Sequence, residues 1–269
     1  SDFVLRYRYC YGGTMETTVT KKRLGIIDAL RGVNFISMAL YHAMYDIVWI
    51  FDRGGSHPLY KGMPGYIWQQ AIAMTFIVIS GFSSQLGSKN PKRGLTVFLC
   101  GAAVTLATVL FYPSETIKYG VLTFMGAAML VTLALDKVLR LVHPYIGMAA
   151  SFILFAVTRN IDMGYIGVGA YKAVLPSALY ETKLLAGFGF PYSSFTSSDY
   201  FPLFPWLFLF LFGYFLAVPI LKSRRITVFL EHDGGFAAVI GRHTLILYML
   251  HQPVIYALLS LWFMLVRSL

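Results

Sequence analysis

Two stretches place titratable side chains inside strongly apolar sequence. The first, GIIDALRGVNFISMALYHAMYDIVWIF, carries Asp28, Arg31, His42 and Asp46. At about 100° per residue, the four fall on one stripe about 60° wide that runs about 27 Å along a helix. Such groups are costly in lipid and call for a cavity lined by water or protein. Asp46 lies one turn beyond His42, so its carboxylate could fix the imidazole tautomer and raise the basicity of the other ring nitrogen. That is the arrangement of a general base. A plainer reading stays open: Asp28 and Arg31 as an i,i+3 pair at one interface, Asp46 at the other, and His42 as a core histidine.

The second stretch holds Arg242, His243, Thr244, Tyr248, His251, Gln252 and Pro253. His251 and Gln252 lie about 13 Å along a helix from Arg242. Pro253 removes one helix hydrogen bond and is expected to kink the segment. Tyr248, His251 and Gln252 are candidates to meet substrate and stabilise an oxyanion. Equally, His251 and Gln252 could re-satisfy carbonyls freed by the proline. Asp199 precedes the run FPLFPW. Its carboxylate could hold an incoming amine, or simply start a helix.

The elements that position these groups follow from composition. The 269 residues are 57% apolar and 13% charged, where soluble domains are about 25% charged. A disordered chain, a coiled coil and a disulfide scaffold are excluded, and too little polar surface remains to solvate a two-domain enzyme. What remains is an all-α polytopic transmembrane bundle of about seven spans: 26–50, 66–86, 95–112, 119–139, 145–158, 203–221 and 243–266. The fifth is short, and could be tilted, extended beyond Asn160, or half-inserted. With seven spans and a cytoplasmic N-terminus, the inner segments hold twice the Lys and Arg of the outer ones, as the positive-inside bias requires. The net charge of +10 therefore reflects inner loops rather than a nucleic-acid partner.

Residues 1–23 read as a cytoplasmic segment in which Met15 is a candidate natural start, leaving 1–14 open. Residues 24–269 read as one transmembrane domain. Its outer segment, about 159–202, is rich in Gly, Tyr, Ser, Pro and Phe, and is expected to fold against the outer face, partly re-entrant. Cys10 and Cys100 match no metal or redox spacing, and the six histidines do not pair at ligand spacing, so no metal is expected.

Several stretches together resemble a known family. The Arg31–x10–His42 spacing is similar to that of membrane acyltransferases that acetylate cell-surface glycans. RLGIIDALRGVNFISMALYH (23–42), FIVISGFSSQLG (76–87), IKYGVLTFMGAAML (117–130), DYFPLFPWLFLFLFGYFLA (199–217) and GRHTLILYMLHQPVIYALL (241–259) resemble the bacterial relatives of heparan-α-glucosaminide N-acetyltransferase. The resemblance implies transmembrane transfer of an acetyl group from cytosolic acetyl-CoA to an amino sugar or other glycan on the far side. It implies that His42 matches the catalytic histidine and Arg31 the motif arginine. It also implies a homodimer and a bacterial cytoplasmic membrane. No counterpart of the lysosomal enzyme's luminal domain is expected in residues 1–23, so the acceptor stays open.

CoA is polyanionic. Arg31, Lys89, Lys92, Arg93, Lys222, Arg224, Arg225 and Arg242 could hold its phosphates, although positive-inside bias alone also accounts for most of them. Ser80-Gly81 and Gly126, Ala127 and Ala128 would allow a narrow tunnel for the pantetheine arm, or plain close packing. Two other readings compete. A transporter for a small solute or lipid would use the same buried Asp, Arg and His as a relay. A non-catalytic scaffold would bind a lipid or a partner.

Overall fold

A computed structural model describes residues 23–51, 57, 60, 62–87 and 90–267. Apart from Arg23, the amino-terminal segment lies outside the described residues, as do Cys10 and Lys89. The described chain is predominantly helical, with one two-stranded hairpin. In order it forms α1 (Gly25–Tyr45), a π-helical turn (Asp46–Phe51), α2 (Met63–Ser84), α3 (Pro91–Phe111), α4 (Val121–Ala134), α5 (Asp136–Leu139) and α6 (Pro144–Thr158). Strands β1 (Tyr165–Val168) and β2 (Tyr171–Val174) follow. Then come α7 (Leu203–Lys222), α8 (Arg224–Leu230), α9 (Gly235–Arg242) and α10 (Thr244–Arg267).

Local sequence explains the helix starts. The Asn90 side chain accepts from the Lys92 backbone N–H at 2.9 Å, and Pro91 follows at the first helical position of α3. Pro144 opens α6 in the same way. Five helical stretches are long and apolar enough to cross a membrane: Met63–Ser84, Pro91–Phe111, Pro144–Met163, Leu203–Lys222 and Thr244–Val266. The short fifth span of the sequence thus continues past Asn160, through a 3-10 turn at Ile161–Met163. Two of the seven expected spans are not in this set. One is α1, which carries Asp28 and Arg31. The other is α4, 14 residues long, whose expected span 119–139 is broken between α4 and α5.

The chain divides into two compact units. One comprises residues 77–223; the other joins the two ends of the described chain, residues 23–76 and 224–267. In the chain-end unit, α1 packs against α9 and α10. The α1–α9 seam is made of glycine. Gly25 and Gly32 on α1 and Gly234 and Gly241 at α9 are each two turns apart. A Cβ on Gly32 would collide with the Ala237 carbonyl oxygen, and one on Gly241 with that of Asp28. Backbone therefore lies on backbone, as small residues permit. On another side of α1, the buried Asn34 donates to the Ile72 carbonyl at 3.0 Å, and Trp68 Nε1 donates to Ser37 Oγ at 2.8 Å.

The middle unit uses the same device. A Cβ on Gly81 would meet the Phe210 carbonyl, and one on Gly126 the Phe98 backbone. Of the two roles offered for these small residues, close packing is the one realised. Residues 159–202 are folded rather than loose. Tyr165 pairs with Val174 and Val168 with Tyr171 in the hairpin, and Tyr200 Oη donates to the Ala186 carbonyl at 2.6 Å.

The seam predicts a sharp contrast between two glycines. Gly32→Val should destabilise the protein by about 1–3 kcal/mol, because backbone must move to admit the side chain. Gly169 has φ 61° and open space around its Cα, so Gly169→Ala should cost only about 1 kcal/mol of left-handed strain. Thermal unfolding in detergent reads both.

Candidate active site

The site grows from the way α1 and α10 run together. Phe35 and His42 meet His251, Asp46 meets Gln252, and Phe51 meets Tyr256 and Phe263. Residue numbers rise together along both, so the two helices point the same way. The stripe read from the sequence does face a protein surface, and that surface is the second polar cluster.

At its centre, the His42 and His251 rings lie 5.0 Å apart between centroids. Tyr248 lies 5.2 Å from His251 and Phe35 6.1 Å, and Tyr41 stands edge-on to His42 at 6.0 Å. His251 Nδ1 is 2.6 Å from the Tyr248 carbonyl oxygen. A carbonyl only accepts, so Nδ1 carries the proton and Nε2 of the neutral ring is an acceptor. This bond ties the ring back to its own helix, although the carbonyl that Pro253 deprives of its N–H is that of Met249 rather than Tyr248.

Asp46 does not orient His42. Its carboxylate is fully buried, and Oδ1 accepts from Gln252 Nε2 at 2.7 Å. The helix changes to π geometry at Asp46. The wider turn departs from the 100° projection, and such turns recur at functional sites. Gln252 is accordingly spent on Asp46 rather than on carbonyls freed by Pro253.

This leaves buried polar atoms unanswered. Among the described residues, Asp46 Oδ2, His251 Nε2 and Gln252 Oε1 have no hydrogen-bond partner. With Gln252 Nε2 committed to the carboxylate, its Oε1 is fixed as the amide oxygen. All three atoms are therefore acceptors, and what completes the site must bring N–H or O–H donors.

A second cluster lies about 16 Å from His42 along α1, at about 1.5 Å per residue. Asp28 Oδ1 is 2.5 Å from Arg31, and Asp28 Oδ2 is 3.9 Å from Arg242 Nε. Arg242 also reaches Asp233 at 3.7 Å. The plain i,i+3 pair is thus real, and it is part of a four-residue network. Arg224 and Arg225 are exposed on α8 in the same unit. Lys92 and Arg93 are exposed at the start of α3, in the middle unit.

Asp199 also belongs to the middle unit. It does not start its own helix. Its Oδ2 accepts the Val121 backbone N–H at 3.1 Å and so caps α4. Burial pushes its carboxyl up to about 6, and the Val121 N–H opposes that shift.

Sequence reasoning passed over Asn34, whose signal was the one used elsewhere: a polar side chain in an apolar helix. It also passed over Asp233, which sits in polar sequence and gave no signal. Among the described residues, no group of three or more His, Cys, Asp or Glu could hold a metal ion.

Two outcomes follow. Gln252→Ala leaves the Asp46 carboxylate buried without a donor, and should cost about 1–3 kcal/mol in thermal unfolding. Asp199 is neutral more readily in the folded chain than in the unfolded one. Its contribution to stability is full below its ordinary value of 3.8 and is lost as pH rises through about 6. Asp199→Asn should flatten the fall in melting temperature across that window.

The model of one protein family, described as heparan-alpha-glucosaminide N-acetyltransferase, catalytic, matches residues 23–253. That span includes both polar clusters. No curated protein and no solved structure matches the chain.

Proposed function

The chain belongs to the heparan-alpha-glucosaminide N-acetyltransferase family, and on that footing we propose that it moves an acetyl group from cytosolic acetyl-CoA to an amino-sugar or other glycan acceptor on the opposite face. It is an integral-membrane acyltransferase. The donor, the acceptor class, the seven crossings with a cytoplasmic N-terminus, the bacterial cytoplasmic membrane and the residue roles below are our reading.

The observation that carries it is the trio of buried acceptors around His42. Amino sugars and other glycans are rich in N–H and O–H donors. Such an acceptor would satisfy Asp46 Oδ2, His251 Nε2 and Gln252 Oε1 while bringing its nucleophile to the imidazole. A hydrocarbon chain would leave all three unpaired, at about 1–3 kcal/mol each.

The chemistry then runs as follows. His42 takes the proton from the acceptor's amine or hydroxyl as that group attacks the thioester carbonyl. The second N–H of Gln252 Nε2 and the Tyr248 hydroxyl are the donors for the oxyanion. His251, with an acceptor at Nε2, holds a donor group of the acceptor rather than the oxyanion. The C–S bond breaks as the carbonyl reforms, and the His42 imidazolium returns its proton to the leaving thiolate. Asp46 acts on Gln252, and so is a positioning residue. Arg31 and Arg242 share Asp28. They keep two cations about 16 Å along the helix from the reacting centre, and a CoA phosphate could draw on them with Arg224 and Arg225.

Transfer from labelled acetyl-CoA by protein in proteoliposomes tests the reading. His42→Ala should lower turnover about 10²- to 10⁴-fold, the usual worth of a general base. Undiminished turnover would remove His42 from the role. Arg31→Ala should raise KM for acetyl-CoA more than it lowers kcat. Wild-type protein that consumes no thioester with any amino sugar, but moves a solute across the bilayer, would establish the transporter reading instead.

A further inference from the structure

The hairpin between α6 and α7 has an apolar face that nothing in its own unit covers. Val168 is 58% exposed and Tyr171 89%. The pairing register sorts these side chains. Tyr165, Gly167, Lys172 and Val174 lie on one face; Ile166, Val168, Tyr171 and Ala173 lie on the other. The second face has no charged residue. On the first, Lys172 Nζ sits 4.6 Å over the Tyr165 ring. A two-stranded hairpin is marginal alone, and an apolar sheet face needs a cover.

The chain itself indicates what the cover is. The membrane-crossing stretch Pro144–Met163 ends one residue before β1 begins. The next crossing starts at Leu203. Both ends of the segment are therefore fixed at one membrane surface. β1 packs on α6, whose exposed Phe152, Ile153 and Leu154 belong to the surface a crossing helix shows to lipid. The hairpin is thus held beside a helix long and apolar enough to cross the bilayer.

We infer that the hairpin lies flat on the bilayer as an interfacial anchor, with Ile166, Val168, Tyr171 and Ala173 against the headgroup–acyl boundary and Lys172 turned toward water. Physical chemistry also sets the depth. The outer edges of two strands leave backbone N–H and C=O groups without ladder partners, and these cannot enter hydrocarbon. Tyrosine with a snorkelling lysine is the composition of the interface itself. The anchor would hold residues 159–202 against the membrane whatever substrate the protein acts on, so this inference does not depend on the acetyl-transfer reading.

Nitroxide labels test it, attached singly to Val168→Cys, Tyr171→Cys and Lys172→Cys in chains lacking Cys10 and Cys100. In proteoliposomes, lipid-soluble oxygen should collide with the labels at 168 and 171 several-fold more than a water-soluble nickel chelate does, with the reverse order at 172. Nickel collisions dominating at all three positions would put the hairpin in water and overturn the inference. Dipolar broadening between labels, with both collision rates suppressed, would mean that a second copy covers the face, and would overturn it too. A second measurement keeps the native cysteines. Tyr171→Trp should add fluorescence that brominated phospholipid quenches, and unquenched added fluorescence would refute the anchor.

Discussion

A carboxylate buried at the end of α1 dictates much of the chain-end unit. Asp46 is fully excluded from solvent, and an unpaired charge there would cost several kcal/mol. Its partner comes from the far end of the sequence, at Gln252. That bond requires α10 to lie alongside α1, which sets His251 against His42. At the other end of α1, the glycine seam with α9 brings backbones into contact and carries Arg242 to Asp28. The two polar clusters are thus the two ends of one helix pairing. The ordering of that pairing is what makes a site out of residues some 200 positions apart.

Unsatisfied polar atoms inform by their kind and place. Thr123 Oγ1 and Thr132 Oγ1 are also unpaired among the described residues. They are hydroxyls on a helix, where a rotation lets the group bond a carbonyl one turn back. The atoms near His42 have no such escape. The Gln252 amide is held by Asp46, the His251 ring by Tyr248, and Asp46 by burial. The deficit is local, one-signed and fixed, which suits a polar ligand and is poorly explained by packing.

Periodicity made the polar face of α1 legible, because a 3.6-residue helix repeats its face whatever it packs against. The partner of that face was half legible. The composition of 241–253 marked a second cluster, but not the alignment of 42 with 251 and 46 with 252. The π turn at Asp46–Phe51 could not be read, since a change in helical pitch leaves no mark in residue types. The Asp46 backbone N–H still bonds the His42 carbonyl in α-helical register, yet its side chain turns to Gln252, a choice that residue spacing does not reveal. Asp199 offers an amine-holding carboxylate or a local helix start in the sequence, whereas a backbone N–H 78 residues away claims it. Capping from a distance obeys the same chemistry as local capping, but has no sequence spacing to betray it.

The shared direction of α1 and α10 bears on how the chain threads a bilayer. Helices that point the same way across a membrane are separated by an odd number of intervening crossings. Between them lie α2, α3, α6 and α7, each long enough to cross, and these alone would turn α10 the opposite way. The seven passages proposed above include one more. The proposal places it in α4 and α5, which together cover the 19 residues from Val121 to Leu139, about 28 Å at the helical rise. Asp136, at the break, is nearly buried and is held by Arg140 and Tyr214. A carboxylate so paired is tolerable where an unpaired one would not be, and the broken helix can still serve as a crossing. The seven passages we propose agree with the shared direction of α1 and α10.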